Sequence, residues 1–324
     1  MSSWQPEHPP AGEAAIAGQA DRWPSEPVEL AAGGPPAAHE APGPGRDGEE
    51  NGPHWGAWQA LLGFVAAYLG TATVILIVSL VTLPAGVNLD RPPPVFNVVG
   101  VLLQNLVFIA AAVAFAAISA RPRAWHFGIR RAPLGRTVGW AVLGVFAYIT
   151  FAAVYQALVD PQGKQSIAEA LGVKEGGALL VVGGFVVIVM APIAEEFFFR
   201  AFFYRAMRNS LSRVAGRVAG VLLAAVLTGA LFGVMHLEPD RVKETLQLIP
   251  LLVVLGVVFC LVYEKTGSLF AVIGLHAVVN MFGYLLVTKD SWIVALAFGG
   301  AMVAACIALP RLLPRTPTAA PAPP

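Results

Sequence analysis

Eight apolar runs, each long enough to cross a bilayer as a helix, leave this chain very few ways to fold. They span approximately residues 57–83, 95–120, 137–158, 177–203, 218–237, 246–263, 268–287 and 292–309. A hydrocarbon core of ~30 Å needs about 20 apolar residues in a helix but only ~10 in a strand, so runs of this length read as helices. The fold class expected is all-α, a polytopic membrane helix bundle with about eight transmembrane helices. Composition agrees: 56% of the 324 residues are hydrophobic and 13% are charged. Soluble domains carry about 25% charged residues, so a soluble globular enzyme is excluded.

The charges that remain are unevenly placed. Residues 1–56 hold nine of the 20 acids and two of the 21 bases, in a Pro/Gly/Ala-rich stretch without periodicity. That stretch is expected to be a disordered acidic tail. Residues 57–309 form the transmembrane domain, and 310–324 a second, Pro-rich disordered tail. No basic-then-apolar leader pattern opens the sequence, so no cleavable signal peptide is expected.

Arg121, Arg123, Arg130, Arg131 and Arg136 lie between runs two and three, and Arg205, Arg208, Arg213 and Arg217 between runs four and five. With eight spans these links, the link holding Lys265 and both tails share one side, which holds 15 of the 21 basic residues when Arg200 is counted with its link. By the positive-inside rule both termini are cytoplasmic and the chain sits in the cell (plasma) membrane. The bases lie in short loops, so they are read as topology signals and not as a nucleic-acid surface. Cys260 and Cys306 lie in apolar runs with no pairing pattern and read as packing residues.

Chemistry is confined to three runs. Ionisable groups inside a span cost at least about 2.5–3.5 kcal/mol on insertion scales, so their presence calls for a reason. Run four carries Glu195-Glu196-Phe197-Phe198-Phe199-Arg200, run five ends in Phe232-Gly233-Val234-Met235-His236, and run seven carries His276-Ala277-Val278-Val279-Asn280. The i, i+4 spacing puts Glu196 and Arg200 on one face as an ion pair, which leaves Glu195 pointing elsewhere as the free carboxylate. Each pattern alone also fits an interfacial salt bridge, a hydrogen-bonded histidine or interhelical polar glue. Together, a carboxylate, two imidazoles and an amide are what hydrolysis by an activated water requires: a base for the water proton and donors for the developing oxyanion.

These three motifs, in this order, resemble those of the CPBP family, the CAAX-protease and bacteriocin-processing (Abi) intramembrane endopeptidases. The stretch Glu264-Lys265-Thr266-Gly267-Ser268-Leu269 is similar as well, and the motif core covers 177–284. The resemblance implies an eight-span helical architecture and cleavage of a membrane-embedded or membrane-associated peptide. It assigns water activation to Glu195 and His236, an oxyanion hole to His276 and Asn280, and the holding of run four to Glu196 and Arg200. The HExxH, GxGD and intramembrane GxSG signatures of other intramembrane proteases are missing.

Two alternatives stay open on sequence. Glu195, His236 and His276 are also a catalytic zinc set, with water as the fourth ligand. A metal-free site is preferred because Asn280 suits an oxyanion donor better than a zinc ligand. The polar residues could instead serve a non-proteolytic membrane protein, such as a transporter, an immunity protein or an assembly partner, as helix glue or a proton relay. Sixteen arginines against five lysines in an Ala/Gly/Pro-rich chain point to a high-GC bacterial gene, where prenylated CAAX substrates are not expected.

One geometric demand follows. At 1.5 Å per residue, Glu195 lies ~15 Å from Arg205 and His276 ~16 Å from Lys265, whereas His236 lies ~28 Å from Arg217. For the three to meet, run five must begin outside the bilayer with Arg213 and Arg217 on a protruding turn, or the link after run four must dip into it.

Overall fold

The computed structural model describes residues 55–89, 92–163, 166–238, 241–288 and 292–313. Most of both expected tails lies outside the described residues. Eight helices among those described are long and apolar enough to cross a membrane. They are α1 (Ala57–Thr82), α2 (Pro94–Ala117), α3 (Leu134–Val159), α4 (Gly177–Ala215), α5 (Arg217–Val234), α6 (Ile249–Thr266), α7 (Leu269–Val287) and α8 (Trp292–Leu312). The described residues contain no strand. The chain is an all-α polytopic bundle and, by these eight apolar helices, a multi-pass membrane protein.

The main departure from expectation is the length of α4. It was expected to end near residue 203 but continues to Ala215, 39 residues in all. That is ~58 Å of helix against ~30 Å of hydrocarbon. Its last segment, Arg205–Ala215, carries Arg205, Arg208, Asn209, Ser210, Ser212 and Arg213 and extends beyond the apolar stretch. Only Gly216 separates α4 from α5. Its φ of 79° and ψ of 164° belong to a region that is essentially glycine's alone, so a hairpin this tight needs glycine here. Glu196 and His236 each lie 20 residues from Gly216. Folding back at Gly216 therefore brings them to the same depth, ~30 Å from the turn. A hairpin at Gly216, with Arg213 and Arg217 on either side of the turn, is the form of link that the geometric demand called for.

α4 is also not a uniform α-helix. Ala191–Glu196 is α-helical, but Val186–Met190 before it and Phe197–Tyr204 after it are π-helical. Pro192 gives the first wide turn a cause. It lacks an N–H, and its ring would press on the carbonyl four residues back, which a widened turn relieves. α5 crosses α6 closely: a Cβ on Gly229 would sit 2.7 Å from the Val253 carbonyl oxygen, and one on Gly256 2.8 Å from the Gly229 Cα. Small residues at such crossings let membrane helices approach backbone to backbone.

The arginine-bearing links gather at one end of the bundle. Arg208 pairs with Glu264 at 2.7 Å, Tyr204 donates to the same carboxylate at 3.2 Å, and Arg130 Nε donates to the Gly267 carbonyl at 2.7 Å. Arg205 donates to the His126 carbonyl and Arg131 to that of Arg311. Trp55 and Gly56, assigned to the tail on sequence, are described. Trp55 is fully buried, its indole N–H donating to Ala116 and its ring packed on Phe127 and Phe202. At the other terminus α8 runs to Leu312, three residues past the expected end, with Pro310 in its last turn.

Candidate active site

The site is built on the α-helical segment Ala191–Glu196 between the two π-turns. Glu196 and Arg200 are both completely buried, and Arg200 Nη1 donates to Glu196 Oε1 at 2.8 Å. Three rings enclose the guanidinium: Phe232 from α5 at 4.4 Å, Phe259 from α6 at 5.0 Å and Phe199 at 5.8 Å from its carbon to the ring centroids. A desolvated cation over aromatic faces gains about 2 kcal/mol or more per good contact. The cage and the carboxylate together make a buried arginine tolerable. Removing one partner of such a pair strands the other charge and typically costs about 3–5 kcal/mol.

His276, 3% exposed on α7, joins the same cluster. Its Nδ1–H donates to Glu196 Oε1 at 2.7 Å, and its ring lies 5.1 Å from Phe259 and 6.1 Å from Phe232. Glu196 therefore does more than pair with Arg200, because the same oxygen also fixes the His276 ring. With Nδ1 committed, Nε2 is the ring atom left for chemistry, and it faces Glu195 Oε2 at 4.0 Å. That is too long for a direct hydrogen bond and within the span of a bridging water. The Glu195 Oε2 atom is buried and has no partner within the chain. Glu196 Oε2 is orphaned as well, but its side chain is fully buried, whereas that of Glu195 is 17% exposed and is the carboxylate a reacting molecule can reach.

His236 lies just past the end of α5, two residues beyond Val234, and not inside the helix as expected. Its Nδ1 is 2.7 Å from the Phe232 carbonyl, and its ring lies 4.7 Å from that of Phe232. A carbonyl only accepts, so Nδ1 is the donor here and Nε2 is the ring nitrogen left for chemistry. Phe232 thus contacts His236, His276 and Arg200 at once. Asn280 Nδ2 donates to Val187 in the first π-turn at 2.8 Å. One amide N–H is thereby used on backbone and the second is left over. Among the described residues no three His, Cys, Asp or Glu side chains are grouped as a metal ion would require.

Sequence reasoning passed over three residues here. Glu238, two residues after His236, accepts from Ser166 N at 2.8 Å and Ser166 Oγ at 2.6 Å, which pins the turn carrying His236 to the segment after α3. Asn105 on α2 is 2% exposed, and its amide nitrogen has no partner within the chain. Phe108, three residues further along, has its ring 5.2 Å from Phe198 and 6.2 Å from Phe199. With α2 and α4 running the same way, Asn105 lies at about the level of Glu195. A readable signal existed: Gln104-Asn105 interrupts an otherwise apolar run.

Residues 177–282 match a family model described as type II CAAX prenyl endopeptidase Rce1-like. The match runs from the start of α4 into α7 and takes in every motif residue above. Comparison with curated proteins gave no match, and neither did comparison with solved structures.

Proposed function

We propose that this chain, a member of the CAAX-protease family through its Rce1-like segment 177–282, hydrolyses a peptide bond of a membrane-held substrate with a water activated by Glu195. As a CAAX-protease-type protein it is an intramembrane endopeptidase acting on membrane-associated proteins. The observation that carries the finer reading is the partnerless, buried Glu195 Oε2 facing His276 Nε2 at 4.0 Å.

In this reading a water between the two gives its proton to the Glu195 carboxylate, and its oxygen attacks the scissile carbonyl carbon. Charge moves onto the carbonyl oxygen, where a doubly protonated His276 donates from Nε2 and Asn280 from its remaining N–H. When the tetrahedral intermediate collapses, the C–N bond breaks and the nitrogen takes the proton held by Glu195. His236, through its free Nε2, orients the water or relays that proton. Glu196 and Arg200 touch no reacting atom and act by positioning His276. A base of this kind contributes about 10²–10⁴ in rate.

The test compares membrane peptides from cells lacking the protein with those from cells carrying wild type or Glu195→Gln. Peptides cleaved only in the presence of wild type support the reading. Identical peptides from wild type and Glu195→Gln refute it, and full biological function of the variant favours a non-proteolytic role. Activity of purified protein in chelator separates a glutamate-activated water from a zinc-bound one: loss in chelator with recovery on zinc overturns the metal-free version.

A further inference from the structure

A cavity lies at the arginine-rich end of the bundle, lined by none of the residues of the cluster around Glu196. It has a volume of about 90 Å³ and sits between the first turns of α3 and α7 and the last turns of α8. By the same measure one water needs only about 10–15 Å³, so a group of several atoms fits. Arg131 and Arg311 line it, with the hydroxyl-bearing Thr137 and Ser268, over a floor that includes Ala271 and Cys306.

Both charged side chains of this cavity are cationic, and the Arg311 carbonyl at the end of α8 is taken by Arg131. Neither Arg131 nor Arg311 forms an ion pair among the described residues, and Arg131 Nε is buried without a partner. The one carboxylate among the described residues at this end of the bundle, Glu264, is taken by Arg208 and Tyr204. Ser268 is 98% buried (2% exposed), stands at the N-cap of α7 and makes no capping bond. Pro133 caps α3 equally without a side-chain bond. Two long helices thus bring the positive ends of their dipoles to one small space, with the Leu269 N–H already given to the Gly128 carbonyl and α8 ending there with its negative pole. The surroundings are apolar and exposed: Leu134 and Val138 on α3 and Leu309 and Leu312 on α8 stand open on the flanks.

We propose that this cavity binds the phosphate of an anionic phospholipid headgroup. The arginines and helix ends take the phosphate oxygens, and the acyl chains run down the exposed flanks of α3 and α8. An anionic peptide would need the same charges but would have no use for the apolar flanks, which is why a lipid is the occupant.

The full-length protein, delipidated in detergent, is titrated with phosphatidylglycerol or phosphatidylcholine, and retained lipid is counted by native mass spectrometry. Wild type is expected to prefer phosphatidylglycerol. The double variant R131Q/R311Q should reduce that preference about tenfold, since each basic residue near an anionic headgroup contributes measurably. R121Q/R136Q, which removes equal charge from the same face outside the cavity, should keep it. An equal loss in R121Q/R136Q shows diffuse surface charge and overturns the site, as does a preference that survives R131Q/R311Q. Equal protection by inorganic phosphate against thermal unfolding overturns a lipid source. If R131Q/R311Q does not fold, Thr137→Leu, which narrows the cavity and keeps both arginines, is held to the same outcomes.

Discussion

The eight helices look alike in hydropathy and differ sharply in what they touch. Their most apolar windows have mean hydropathies between 1.9 and 2.5, yet α4–α7 bury 33–44% of those windows and α1, α2, α3 and α8 only 6–22%. One half is a closed core with Glu196, Arg200 and His276 at its centre; the other is a scaffold whose side chains mostly face outward. Hydropathy identifies a span without saying whether lipid or protein surrounds it. The difference lies in small residues and in polar groups that need partners. Gly229 and Gly256 let α5 and α6 touch backbone to backbone, and Glu196 ties α4 to α7 through His276.

The largest effect expected from this contrast is chemical. Glu195→Gln should lower peptide hydrolysis by about 10²–10⁴ while leaving thermal stability near wild type, because Glu195 Oε2 holds nothing in place. Unchanged turnover would put the chemistry elsewhere. Next comes stability at the core. Arg200→Met or Glu196→Ala alone should cost about 3–5 kcal/mol, since either leaves a buried charge unpaired. The double variant Glu196→Leu/Arg200→Met should recover part of that loss in denaturation while remaining inactive, because the His276 ring loses its fixed acceptor. If the double variant regains activity, positioning by Glu196 is wrong. Gly229→Ala should cost about 1–3 kcal/mol through overpacking against the Val253 carbonyl. Phe146→Leu on α3, where Phe146 is 68% exposed, should stay within about 0.5 kcal/mol. A large loss there would mean that this face of the scaffold is covered.

The sequence was informative about the helices and the polar motifs, and uninformative about partners. Length and apolar content suffice for eight spans because a bilayer imposes one length scale on all of them. The i, i+4 spacing was enough to pair Glu196 with Arg200. It could not reveal that His276 bonds Glu196 and only faces Glu195, because that depends on how α7 is rotated against α4. The two π-turns shift the face that each α4 residue presents, and only Pro192 hints at them. Asn280 likewise proves to be half engaged by the Val187 carbonyl of a π-turn. The depth of His236 was legible in principle: a glycine 20 residues from both Glu196 and His236 is a hairpin signal, but the charges around it made residue 203 look like the end of the span.

The smallest expected effect lies at the seam between scaffold and core, and it depends on pH. His126, in the short turn Ala124–Phe127 between α2 and α3, stacks edge-on against Trp125 and receives the Arg123 N–H on Nδ1 at 3.1 Å. Its pKa is lowered below 6.5, first by partial desolvation and then by the positive charges of Arg205 and Arg123. The folded state therefore prefers the neutral ring, and the unfolded chain binds the proton more readily. That sign makes His126 a source of stability that is present above the ordinary histidine pKa and lost as pH falls through 6.5 toward the lowered folded value. The group is only partly buried, so solvent screens much of the effect. His126→Asn keeps an acceptor for the Arg123 amide and removes the titration. Between about pH 7 and 5, wild-type melting temperature should fall slightly more steeply than that of His126→Asn, with the two converging at higher pH. Identical slopes would mean that folding does not shift the His126 ring from its ordinary titration.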